Sequence, residues 1–141
     1  MKITLDRLDN DFLFEATNER GDTIRMDNGS RADGNVNGAG PMEVLLMGVA
    51  GCSAIDIIHI LKKQKQEITS YHVEADGQRE KVGGANPFKK IHVKVYLEGD
   101  ISGDKALRAA ALSFEKYCSV SLSLDKSIEL TYSVVLNGEE L

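Results

Sequence analysis

The sequence predicts a mixed α/β fold of the α+β kind in a single domain, residues 1–141, and three observations predict it. Short runs of alternating apolar and polar residues recur near both ends of the chain and in its second half, the period-two signature of strands. A long apolar segment opened by Pro41 reads as a helix. A second stripe at helical spacing separates the later strands. With 141 residues, 42% of them hydrophobic, the chain can bury one continuous core without metal or disulfide staples, which excludes wholesale disorder.

Ile3 and Leu5 alternate with polar neighbours, Phe12, Phe14 and Ala16 fall at alternate positions, and Asp22 to Met26 reads as a third short strand, together a meander. Asp9, Asn10 and Asp11 supply the first turn, and Asn18, Glu19, Arg20 and Gly21 the second. Residues 27–41 carry Gly29, Gly34, Gly38 and Gly40 and almost nothing apolar, forming a loop of a length that usually has a use. From Met42 to Gln66 the spacing predicts a helix of about 25 residues, roughly 37 Å long, closed by Lys62, Lys63 and Lys65 at its negative end. Val44 to Leu61 is apolar nearly all round, with Asp56 and His59 the main exceptions, so burial on several sides is expected. Gly48 and Gly51 inside this helix point to another helix packed close by. Strands follow at Tyr71 to Arg79 and Phe88 to Glu98, the latter with Ile91, Val93, Val95 and Leu97 on one face. A second helix, Asp104 to Cys118, places Leu107, Ala110, Ala111, Phe114 and Cys118 on one inward stripe. Ile128, Leu130, Tyr132 and Val134 form the closing strand.

Seventeen basic against 22 acidic residues give a net charge of −5, the wrong sign for a protein that must neutralise phosphates, so no nucleic-acid partner is expected. The uncharged stretch Val44 to Ile55 is short of the roughly 20 residues a bilayer needs, and no membrane association is expected. Met1 to Asp6 lacks a basic region followed by an apolar block, so the expected location is cytoplasmic.

In a reducing compartment the two cysteines, Cys52 and Cys118, are either small buried hydrophobes or a redox pair, since a permanent disulfide there is rare. Cys52 lies about ten residues into its helix, too far from the positive end of the dipole to be ionised by it. Asp56, one turn on and on the same face, opposes a second anion, so activation of the thiol requires a cation. His59, three residues beyond Asp56, is placed either to satisfy that carboxylate or to act with it. Cys52, His59 and Cys118 form no CxxC or HExxH pattern, so no metal is expected. The glycines lack the lysine and hydroxyl of a phosphate loop, no strand leads into GxGxxG, and Ser53 is not in a GxSxG elbow, so no cofactor is expected. Glu43 stands roughly 13 Å before Cys52 along the axis and half a turn out of phase. It either reaches the thiol from a second subunit or simply favours the helix N-terminus.

The segments Gly40-Pro41-Met42-Glu43-Val44-Leu45-Leu46-Met47 through Gly51-Cys52-Ser53-Ala54-Ile55-Asp56, and Glu115-Lys116-Tyr117-Cys118-Ser119-Val120, resemble the OsmC/Ohr family, its YhfA-like branch most closely. The resemblance implies an intertwined homodimer whose strands wrap around long central helices, with sites at the subunit interface. It implies a thiol peroxidase in which Cys52 attacks an organic peroxide or hydrogen peroxide, Cys118 resolves the sulfenic acid as a disulfide, Glu43 serves the site, and a dithiol reductant, lipoyl-linked in some members, restores the thiols. The peroxidase members carry a glutamate directly after the helix-opening proline and an arginine in the early strands. Here Met42 follows Pro41, Glu43 comes one place later, and no arginine lies between Leu8 and Phe14, leaving Arg7, Arg20, Arg25 and Arg31. The alternative the residues leave open is a family member that binds a ligand or senses oxidation without efficient turnover.

Overall fold

The computed structural model describes all residues, Met1 to Leu141, in two compact units, Met1–Leu45 and Leu46–Leu141. In the first, β1 (Ile3–Arg7), β2 (Phe14–Asn18) and β3 (Thr23–Met26) form an antiparallel meander in the order β1-β2-β3. Leu5 faces Ala16, and Ala16 faces Ile24. The loop after β3 returns beside it, with Met26 bridged to Ala39. Gly38 is needed there, because a Cβ would lie 2.9 Å from the backbone of Arg25 and Met26. Asp27, buried, accepts the Asn37 N–H at 3.0 Å and so fastens the loop.

Helix α1 runs from Pro41 to Lys63, starting at the proline and ending three residues short of the expected Gln66, with Lys62 and Lys63 in its last turn. The second unit contains the four-stranded sheet β4 (Glu67–Arg79), β5 (Phe88–Asp100), β6 (Glu129–Leu136) and β7 (Glu139–Glu140), in the order β4-β5-β6-β7. The β4–β5 and β6–β7 pairs are antiparallel and β5–β6 is parallel. A parallel pair needs a crossover, here α2 (Gly103–Leu112), a π-helical turn (Ser113–Tyr117) and α3 (Ser119–Leu122). The face of β5 expected to be core is core: Ile91, Val93, Val95 and Leu97 are buried, with Val134 of β6 and Ala106, Ala109 and Ala110 of α2.

Three expectations need correction. The stripe on α2 is rotated, with Leu107 exposed and Ala106 and Ala109 buried instead, because the helix ends at Leu112 and a π turn carries the chain to Cys118. The all-round burial of α1 is not met within this chain, where only Val49, Ser53, Ile57 and Leu61 are buried and Met47 and Ile55 are exposed. Of its two glycines, Gly48 faces Val120 of α3, and Gly51 has no neighbour. By length and composition α1 is also apolar enough to cross a membrane, because the helix continues past Asp56 where the uncharged stretch does not.

Candidate functional site

Two elements of the second unit bring the chemistry together. On α1, Cys52 and Asp56 sit one turn apart on one face, and between them Ser53 is buried with its hydroxyl donating to the Ala50 carbonyl at 2.9 Å. Opposite, the π turn closes with the Cys118 N–H donating to the Ser113 carbonyl at 2.8 Å, five residues back. Such a turn inserts one residue into the helical phase and is frequent at functional sites. Cys118 itself is extended (φ −67°, ψ 96°) and caps α3.

The Cys52 sulfur, an Asp56 carboxylate oxygen and the Cys118 sulfur all lie within 4.8 Å of one another. Both cysteines are free thiols, Cys52 half-buried and Cys118 fully buried. The Ser121 hydroxyl donates to Cys118 Sγ at 2.9 Å, and the Ser121 N–H approaches the same sulfur at 3.5 Å. Burial pushes the Cys118 thiol above its ordinary value; the two Ser121 donors oppose that shift and the neighbouring Cys52 adds to it. The Ser113 hydroxyl lies 3.4 Å from both the Ser53 carbonyl and Asp56 Oδ2, so its one proton is shared between two acceptors.

The expected Asp56–His59 hydrogen bond is not formed. Asp56 takes its bond from Ser113, while exposed His59 shares with it a cavity of about 540 Å³ also lined by Ile60, Lys63, Leu112 and Tyr117. Glu43, in the first unit, accepts the Gly40 N–H at 2.6 Å and so closes the first turn of α1. The four arginines of the first unit are all engaged within it. Arg7 donates to the carbonyls of Asp11 and Asn10, Arg20 pairs with Asp22 at 2.8 Å and Arg25 with Glu15 at 3.4 Å. Arg31 pairs with Asp9, Asp11, Asp27 and Asp33 at 2.9 to 3.4 Å. Ser113 and Ser121 were invisible as site residues. The one signal was the position of Ser121, three residues after Cys118, where an N–H meets a capping side chain.

A mixed α+β chain holding two free thiols near disulfide distance across a helix and a π turn is a two-cysteine protein whose geometry is consistent with a redox role. The comparisons specify it further: residues 32–133 match the OsmC-like protein family, and the chain belongs to that family. It is 38% identical over 94 residues to protein YhfA of Escherichia coli strain K12, covering 66% of this chain and 69% of that protein. A hypothetical protein from Aquifex aeolicus VF5 superposes with a TM-score of 0.81 at 27% identity over 96% of each chain. The organic hydroperoxide resistance protein OhrB of Bacillus subtilis shares the fold, with a TM-score of 0.66 at 20% identity over 95% of this chain and 96% of that one.

Proposed function

We propose that this chain is a thiol-dependent peroxidase acting on organic peroxides or hydrogen peroxide. The observation that carries the reading is the placement of half-buried Cys52 beside fully buried Cys118. An oxidant reaches the more accessible sulfur first. Cys52 thiolate attacks the terminal hydroxyl oxygen of the peroxide and keeps it as a sulfenic acid, while the O–O bond breaks and the other oxygen leaves as alkoxide or hydroxide, taking up a proton to become an alcohol or water. The Cys118 sulfur then attacks the sulfenic sulfur, its thiol proton leaving with the sulfenic hydroxyl as water, and the Cys52–Cys118 disulfide forms. A dithiol reductant, lipoyl-linked or otherwise, returns both thiols by exchange and is itself oxidised. The family match and the OhrB-like fold support this reading.

The whole chain acts as one OsmC-like domain, a reading supported by solved relatives that cover 96% of it. It works as an intertwined homodimer in the cytoplasm, where free thiols persist. The exposed apolar residues Leu45, Met47 and Ile55 of α1 support a second copy, rather than a membrane, as what covers this helix. Glu43 serves the site from the partner subunit in this arrangement. Peroxide consumption by the wild type and its loss in Cys52→Ser test the function, and equal turnover by that variant ends it.

A second reading, ligand binding or redox sensing without turnover, is favoured by one observation. Every arginine of the early strands and loop is held by a carboxylate or carbonyl of its own unit. A slow, stoichiometric disulfide with no turnover in the same assay supports it.

A further inference from the structure

We infer that the reduced chain binds a thiophilic divalent cation of the zinc type through Cys52, Cys118 and Asp56. Tetrahedral zinc takes sulfur at about 2.3 Å and carboxylate oxygen at about 2.0 to 2.2 Å, which sets neighbouring donors about 3.3 to 3.8 Å apart. The three donor atoms here already lie within 4.8 Å of one another, so closing around an ion takes side-chain shifts of up to about 1.5 Å. Rotation about the side-chain bonds of half-buried Cys52 and Asp56 supplies such a shift.

The surroundings are those of a supported ligand set. Cys118 Sγ receives the Ser121 hydroxyl and is approached by the Ser121 N–H, both of which favour a bound thiolate. Ser113 Oγ lies 3.4 Å from Asp56 Oδ2, an outer partner for a carboxylate that still has lone pairs free for an ion. Such outer partners orient ligands and tune affinity. Two sulfurs and one oxygen choose a borderline or soft ion over magnesium or calcium, which prefer oxygen alone. Three protein ligands leave a fourth position for water, the pattern of an open rather than a closed zinc site. The sequence pattern concealed the set, because its members are separated by 62 residues between Asp56 and Cys118 and the third ligand is Asp56, not His59.

This inference does not depend on peroxide turnover. The test is an anaerobic titration of the fully reduced chain with zinc against a chromophoric chelator, repeated with cobalt, whose visible bands report tetrahedral sulfur coordination. One ion per chain is expected, with strong cobalt bands. Cys52→Ser and Cys118→Ser should each weaken binding more than about 100-fold, beyond the range an outer partner gives, and Ser113→Ala by about tenfold. Asp56→Asn, which preserves side-chain volume, should weaken zinc binding at least tenfold while leaving the circular dichroism spectrum unchanged. Failure of the reduced wild type to compete with the chelator, or unaltered binding by Asp56→Asn, overturns the inference. Should peroxide still convert the pair to a disulfide in a chain that takes no zinc, the site falls and the peroxidase reading stands. Should zinc bind in a chain that never forms the disulfide, the reverse holds.

Discussion

Joining Cys52 to Cys118 should raise the stability of the chain by about 4 kcal/mol. The bond closes a loop of about 66 residues, and the chain-entropy relation gives about 4.4 kcal/mol at 25 °C for that length. Strain offsets part of this. The sulfurs lie within 4.8 Å and must close to about 2.05 Å with a dihedral near 90°. Rotation of half-buried Cys52 provides most of the movement, because Cys118 is buried and tied to Ser121. In a chain of this size 1 kcal/mol moves the melting temperature by about 3 to 4 °C, so oxidation should raise it by about 12 to 16 °C. The assay is calorimetry on the reduced chain and on the chain treated with one equivalent of hydrogen peroxide, with thiols counted and the mass checked for loss of two hydrogens. Cys118→Ser should show no such rise. An oxidised chain cross-linked only between molecules, or one with both thiols lost and an unchanged melting temperature, would refute the geometry on which the redox reading rests.

Two further outcomes follow from the same structure. Ile55, 71% exposed on a helix that also exposes Met47, should be covered in a dimer, so Ile55→Lys should convert the chain to monomer in light scattering; a monomeric wild type would remove the dimer from the proposal. The pH profile should fall at both ends. Asp33, held down chiefly by the Arg31 hydrogen bond, and Asp9, held down chiefly by the Asp11 N–H, titrate below the ordinary carboxylate value in the folded chain. Their contribution is present above about pH 4 and is lost as the pH falls through their lowered values. Cys118 is shifted the other way, mainly by burial, so its contribution is full below the ordinary thiol value of about 8.5 and is lost as the pH rises through the raised one. Denaturant melts across pH should show both limbs, and the alkaline limb should flatten in Cys118→Ser; an unchanged limb there contradicts the assignment.

Much of the fold was legible because its signals are local. Ile3 and Leu5, Phe14 and Ala16, and the alternation from Ile91 to Leu97 each advertise a strand within a few residues, and Pro41 marks the start of α1 to the residue. Cys118 was correctly expected to point inward. The path to it was not, because nothing local distinguishes a π turn at Ser113–Tyr117 from another turn of α-helix. That insertion is why Leu107 faces out and Ala106 and Ala109 face in.

The sequence by itself determined the order of β1 to β6 with α1 and α2, though not the short α3 and β7, together with the two thiols and the absence of phosphate-loop and nucleophile-elbow patterns, since each is written in neighbouring residues or their spacing. Only the tertiary structure decided which groups meet. It set Asp56 with the sulfurs of both Cys52 and Cys118, gave Asp56 to Ser113 rather than His59, and bound Arg31 to four aspartates. The physical reason is distance. Contacts within a helical turn or along a strand follow from backbone periodicity, whereas a sulfur on α1 and a sulfur 66 residues later meet only once the sheet and crossover have fixed where α2 ends.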